Sequence, residues 1–364
     1  MRCFPDSAVA LKRLRIAERQ TQIKFLSESV RGRVKSWSVA AKARTWEMNF
    51  PTAAALWAVV VLLGAFLGTR QGYGGPRFAV ALGIGALLFA FELFLAAPNV
   101  LQRARGWLGE NGSTLAALVP LFAVLIYSVS VAGSLKWTLA GAAYAIVPAL
   151  VLATSKGKAS GTWQDYLAVA IIWLPVEFRW MYRLFPFPPP LTHILSILFA
   201  LSTGVAAFVM VRRLDGVGYT FDWGRGFGRK VLFNLAAFGV IAVPLGMMMG
   251  FLKYEPSLAR VHSLPASAVG IFFFTAWPEE FLFRGVLQNL FSRTFRSRWA
   301  GLAAASIVFG LSHILHAPFP NWKYVILATI AGFFYGRAWM KTGSLFASTI
   351  VHALVDISWH VLFR

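Results

Sequence analysis

The sequence predicts an all-α, polytopic transmembrane helical bundle of roughly ten or eleven spans. Three observations carry that prediction. Hydrophobic residues make up 58% of the 364, and the mean hydropathy is +0.63. Charged residues are only 13%, against about 25% in a soluble domain. Apolar stretches close to the ~20 residues that cross a bilayer as a helix recur along the chain. A surface so poor in charge excludes a soluble enzyme and a disordered protein. The single cysteine, Cys3, excludes a disulfide scaffold and a multi-cysteine metal site.

Residues 1–48 form a basic tail, with eleven Lys or Arg against four acidic residues. It lacks the uninterrupted apolar core of a signal peptide. Ile23, Leu26, Val30, Val34 and Trp37 recur at three- and four-residue spacing, which predicts an amphipathic helix on the membrane surface. Apolar stretches follow at about 53–69, 78–97, 115–134, 138–154, 166–183, 192–211, 232–252, 267–291, 300–315, 324–340 and 344–363. Alternate loops hold Arg103 and Arg105, Lys156 and Lys158, Arg212 to Lys230, then Arg293, Arg296 and Arg298. The connections between them, such as the proline-rich LFPFPPPL at 184–191, carry little charge. Positive loops stay cytoplasmic, so the N-terminus is expected in the cytoplasm. The formal charge of +21 is read as this loop bias and attraction to anionic lipid, with no nucleic-acid partner.

The segment 212–231, with GVGYTFDWGRGFG, is the longest polar interruption after the tail. It divides the expected organisation into a tail at 1–48, an amino-terminal transmembrane region at 49–211, and a region holding the chemistry at 212–364.

A charged side chain at mid-bilayer costs about 2.5–3.5 kcal/mol on insertion scales, so it persists where it pairs, faces a polar cavity or does chemistry. In IFFFTAWPEEFLFRGVLQNLF, Glu280 and Arg284 are four apart and share a helical face. Glu279 lies about 100° away and is left available. In GLAAASIVFGLSH, Phe309 and His313 align in the same way, with His316 expected in the loop beyond. In SLFASTIVHALVDISWHVLF, His352 and Asp356 stack on one face, and His360 extends the line. Asp356 can accept from His352 and set its tautomer. Each motif by itself also reads as a self-satisfied pair or an interfacial histidine. Glu177 and Arg179, beside Pro175, are read as structural pairing, with a substrate channel the alternative. Gly332 and Gly336 read as close helix packing.

Glu-Glu-x-x-x-Arg, Phe-x-x-x-His and His-x-x-x-Asp, in this order on three spans, resemble the CPBP family of intramembrane proteases, which includes the CAAX-processing and bacteriocin-processing enzymes. The resemblance covers about 220–364. It departs at Asp356, where the prenyl-protein endopeptidase branch usually has Asn. It implies a glutamic endopeptidase of a bacterial inner membrane that cuts a membrane-anchored or amphipathic protein or peptide. Glu279 would be the base and work with His313 on a water; His352 and Asp356 would face the oxyanion; Glu280 and Arg284 would hold the site together. An ionised Asp cannot donate to an oxyanion, so Asp356 is expected to orient His352.

No cofactor is expected. Zinc on Glu279, His313, His352 and Asp356 is the alternative, although HExxH is absent. Two rival functions are a non-catalytic membrane scaffold or bacteriocin-immunity protein, and a proton-coupled transporter, because buried acids and histidines also mark ion paths.

Overall fold

The structure, a computed structural model, describes residues 44–363. The amphipathic helix expected within 1–48 lies outside the described residues. The described residues from Thr45 onward form one compact unit, built of thirteen helices and almost no strand.

Each of the eleven apolar stretches coincides with a helix. In chain order these are α1 (Phe50–Arg70), α2 (Gly75–Leu95), α4 (Asn111–Val131), α5 (Leu135–Ala153), α6 (Trp163–Glu177), α7 (Leu191–Val211), α8 (Phe227–Met248), α10 (264–294), α11 (Arg298–Leu311), α12 (Trp322–Thr342) and α13 (Leu345–Leu362). Two more were not expected: α3 (Pro98–Leu108) and the short α9 (Leu258–His262). Helix α3 starts on proline and ends on Gly109 at φ 63°, and its Arg103 and exposed Trp107 suit an interface.

Seven of the eleven are long and apolar enough to cross a membrane by themselves: α1, α2, α4, α5, α7, α8 and α13. The other four are short or interrupted by charge. Helix α6 stops at Glu177, two residues past Pro175, where the backbone turns through Arg179 at φ 57°. Helix α11 is only 14 residues long, and α10 and α12 carry charged side chains. These four supply most of the polar groups of the site described below.

Residues 44–47, assigned to the tail by composition, are instead strand β1 (Arg44–Glu47), paired with β2 (Asp222–Gly224). Trp46 stacks on Trp223 at 4.3 Å, and Met48 N–H donates to Phe221 O at 2.9 Å. Val217, Tyr219 and Phe221 are buried. The segment 212–231 is therefore threaded through the packed unit, where the polar sequence suggested a seam.

The basic loops gather at one end. Arg105 donates to Val209 O (2.6 Å), Arg213 to Gly109 O (2.7 Å), Lys156 to Glu110 O (2.8 Å) and Arg293 to Asp215 O (2.6 Å). A buried ion pair, Arg212 Nε to Asp165 Oδ1 at 2.7 Å, ties the start of α6 to the end of α7. Thr162 and Asp165 complete a capping box there. At the opposite end, Tyr73 OH reaches Pro188 O in the proline-rich connection at 3.1 Å. The alternation read from loop charge thus matches the loops' grouping in space.

One buried acid was not foreseen. Glu92 of α2 is fully buried, and Ser202 of α7 donates to its Oε1 at 2.7 Å.

Candidate active site

Helix α10 is not a regular α-helix. Trp277–Glu280 is an α-helical turn set between two π-helical stretches, Phe272–Ala276 and Phe281–Gln288. Such widened turns frequently accompany functional sites, because the extra residue per turn re-aims side chains. Both glutamates sit on the short α-turn.

The pairing expected at four-residue spacing is present. Glu280 Oε2 lies 3.2 Å from Arg284 Nε, and the two side chains are 0% and 1% exposed. Arg284 also donates to Gly332 O at 3.3 Å, and its guanidinium lies over the rings of Phe309 (4.3 Å) and Tyr335 (5.3 Å). That approach depends on Gly332: a Cβ there would meet Phe309 Cδ1 at 3.1 Å and Arg284 Nη2 at 3.4 Å. At Gly336 it would run into Gln288 and Leu302. Gly332 and Gly336 therefore let α12 close against α10 and α11, which fixes the depth of the arginine.

His352 of α13 stands at the centre. Its Nδ1 is 2.9 Å from Glu280 Oε1, and its Nε2 is 3.4 Å from Asp356 Oδ2 and 3.9 Å from Glu279 Oε2. Three carboxylates thus surround one imidazole. Tyr335 stacks on the ring at 4.5 Å with planes 18° apart, and Phe309 meets it edge-on at 5.8 Å. The ring is held by two aromatic neighbours and at both nitrogens. Glu279 differs from Glu280 in one respect that matters: its side chain is 33% exposed, whereas that of Glu280 is sealed.

His313 lies just past the end of α11. Its Nδ1 is 2.8 Å from Phe309 O. A carbonyl only accepts, so Nδ1 carries the hydrogen and Nε2 keeps its lone pair. Ser312 Oγ donates to the same carbonyl at 2.7 Å, so it is not an activated nucleophile. His316, expected in a loop, is exposed there and stacks on His313 at 5.6 Å.

These groups line one cavity of about 880 Å³, reached by Glu279, His313, His352 and Asp356. The convergence expected from three separate spans is therefore present in space. Among the described residues, no group of three or more His, Cys, Asp or Glu side chains is disposed to hold a metal ion.

Sequence reasoning missed part of the wall. Tyr335 and Tyr324 pack on His352 and His313, both at 4.5 Å. A tyrosine facing the same way as a GxxxG stripe was the available signal, since a buried phenol seeks a polar neighbour. Glu177 and Arg179 were read as a structural pair, with a channel as the alternative. Glu177 accepts from Trp173 Nε1 at 3.1 Å and lies within the electrostatic reach of Arg179, and both residues line the cavity.

Residues 261–358, just over a quarter of the chain, match the family model described as type II CAAX prenyl endopeptidase Rce1-like. No curated protein and no solved structure matches the chain. The matched segment runs from the end of α9 through Asp356 and so contains both glutamates, Arg284, His313 and His352. In this integral membrane protein, the segment that supplies Glu279, Glu280, Arg284, His313, His352 and Asp356 to the cavity is similar to the Rce1-like type II CAAX prenyl endopeptidases, consistent with the CPBP family.

Proposed function

We propose that the protein is an intramembrane endopeptidase, hydrolysing a peptide bond of a membrane-associated protein or peptide with a water activated by Glu279 and His313. The observation that carries the reading is the asymmetry of the two adjacent glutamates. Glu280 is locked between Arg284 and His352, while Glu279 opens on a cavity that His313 also lines.

A general base must lie within reach of the proton it takes. Water between Glu279 and His313 has a carboxylate to receive its proton and the Nε2 lone pair of His313 to orient it. The water oxygen bonds to the carbonyl carbon as the proton moves to Glu279. The resulting oxyanion needs a donor, and His352 supplies it: Glu280 fixes its Nδ1, and its Nε2–H, held only at 3.4 Å by Asp356, is shared with the oxyanion as that charge develops. Glu279 then delivers the proton to the departing nitrogen, and the C–N bond breaks. Arg284 acts through Glu280 as a positioning residue.

The test uses purified protein in lipid nanodiscs and a comparison of membrane proteomes with and without it. Glu279→Gln and His313→Ala are expected to abolish the new protein termini while the purified variants unfold at the wild-type temperature. Normal cleavage by either variant overturns the assignment. Loss of stability with no cleaved substrate from the wild type would instead favour a scaffold. Solute or ion flux in sealed vesicles, lost in Glu279→Gln, would favour a transporter.

A further inference from the structure

Each turnover of the proposed reaction consumes one water. Its oxygen joins the carbonyl carbon, one proton leaves with the nitrogen and the other stays with the new carboxyl group. The main cavity leaves Glu279 partly open to solvent, but a peptide seated in it would displace that water, and walls such as Leu201, Phe238, Val243 and Leu327 offer no hydrogen bonds for a path around the peptide.

A second, smaller cavity of about 350 Å³ adjoins the first. Tyr324, Asp356, Trp359 and Phe363 line both, while Arg260 and His360 line the smaller one alone. At about 30 Å³ per molecule it has room for on the order of ten waters. Five of its six lining side chains have a polar group.

Its walls are built deliberately. The segment leading into α9 pairs with the end of α13: Glu255 N–H donates to Leu362 O at 2.9 Å, and Ser257 N–H to Val361 O at 3.3 Å. Arg260 clamps the same junction, donating to Phe363 O at 2.9 Å and to Glu255 O. This strap holds the guanidinium at the cavity. Along α13, His352, Asp356 and His360 follow at four-residue spacing, so one helical face runs from the buried imidazole toward the chain end. His360 Nε2 is buried without a hydrogen-bond partner, which leaves an unpaired polar atom beside the recess. Between the two cavities, Phe251, Tyr324 and Trp359 pack at 5.3–5.4 Å from one another.

We infer that the recess formed by Arg260, Asp356 and His360 is the water entrance of the site once a peptide fills the main cavity. It rests on the peptidase reading above only for the use to which the water is put. Asp356 sits at the junction of the two routes, and the three aromatic rings keep apolar substrate out of the polar one.

The test exploits the single natural cysteine. In full-length Cys3→Ser protein in nanodiscs, His360→Cys is compared with Val243→Cys, a position on the wall of the main cavity alone. A charged methanethiosulfonate is expected to modify position 360 at least tenfold faster than position 243. Modification at 360 should lower kcat at least fivefold and leave the KM for peptide within twofold. Arg260→Cys gives the same readout should His360→Cys not fold. Equal rates at 360 and 243, or an unchanged kcat after modification, overturn the inference. Fast labelling at 360 in a protein that cleaves nothing overturns the peptidase reading and leaves the entrance standing. A cleaving protein unlabelled at 360 does the reverse.

Discussion

Arg284→Met tests the centre of the site more sharply than any single catalytic substitution. The methionine keeps an unbranched apolar stem against Phe309 and Tyr335 but removes the charge facing Glu280. Removing one partner of a buried ion pair leaves the other uncompensated and costs about 3–5 kcal/mol. The lost cation–π contacts at 4.3 and 5.3 Å add about 0.5–2 kcal/mol each. Against this, His352 Nδ1 remains 2.9 Å from Glu280 Oε1, so the carboxylate keeps a donor. The lower end of the combined range, about 4 kcal/mol, is therefore expected. Glu280→Gln/Arg284→Met removes both charges, and coupling within a contacting pair is of the order of 0.5–3 kcal/mol. The double variant should be less destabilised than the sum of the single variants by about 2 kcal/mol. Reversible unfolding by sodium dodecyl sulfate in mixed micelles measures all four corners of the cycle. A loss under about 1 kcal/mol for Arg284→Met, or single-variant losses that simply add, would show that Arg284 does not hold Glu280.

Helix packing gives a second prediction: Gly336→Ala should destabilise the protein by about 1–3 kcal/mol, because its Cβ meets Leu302 and Gln288. Gly239→Ala, with open space at its Cβ, should gain up to about 1 kcal/mol from helix propensity; equal effects in thermal unfolding would refute the packing argument. Asp165 lies ahead of the apolar part of α6. Burial pushes its carboxyl up, but hydrogen bonds from Arg212, Thr162 and Gly161 outweigh this and hold it below the usual carboxylate range. A folded pKa below the unfolded one makes the pair's contribution complete above the unfolded value, and the contribution is lost as pH falls through the lower folded value. The stability gap between wild type and Asp165→Asn should therefore be flat from neutrality to about pH 5 and close only in stronger acid. A gap that closes near neutral pH would refute the pairing. Exhaustive chelation should leave peptide cleavage unchanged, and activity lost on chelation and restored by zinc would overturn the protein-only mechanism.

Much of this arrangement was legible because it is local. The Glu280–Arg284 and His352–Asp356 contacts follow from four-residue spacing, and Gly332 and Gly336 mark a close approach whatever lies opposite. The span positions were legible because hydropathy in lipid is a strong constraint. What failed was long-range or conformational. Nothing in WPEEFLFR announces that the glutamates occupy one α-turn between two π-helical stretches. Glu177 and Arg179 are two apart and would not face each other on a regular helix; the chain turns through Arg179 in the left-handed region beyond Pro175, and Glu177 also accepts from Trp173, which spacing alone did not show. Glu92 passed unnoticed because its partner, Ser202, is 110 residues away.

The four helices that fall short of a self-sufficient span point to how such a site survives in a bilayer. A polar side chain is costly where lipid is the neighbour and tolerable where protein is. Helices α10 and α12 can carry Glu279, Glu280, Arg284, Tyr335 and Arg337 because α8, α11 and α13 pack around them. The apolar helices need no such shelter; α1 buries only Ala53, Val60 and Gly68. Hydropathy and burial thus trade places along the chain. The fewest charges fall where lipid contact is greatest, and the densest cluster falls where neighbouring helices exclude it. A charge moved outward should therefore cost more than the same charge moved within the cavity wall. Leu62→Glu on exposed α1 is expected to impair insertion, whereas Leu282→Glu beside the existing acids should insert normally. Equal insertion of the two in a glycosylation-mapped assay would mean that shelter by neighbouring helices is not what lets the cluster persist.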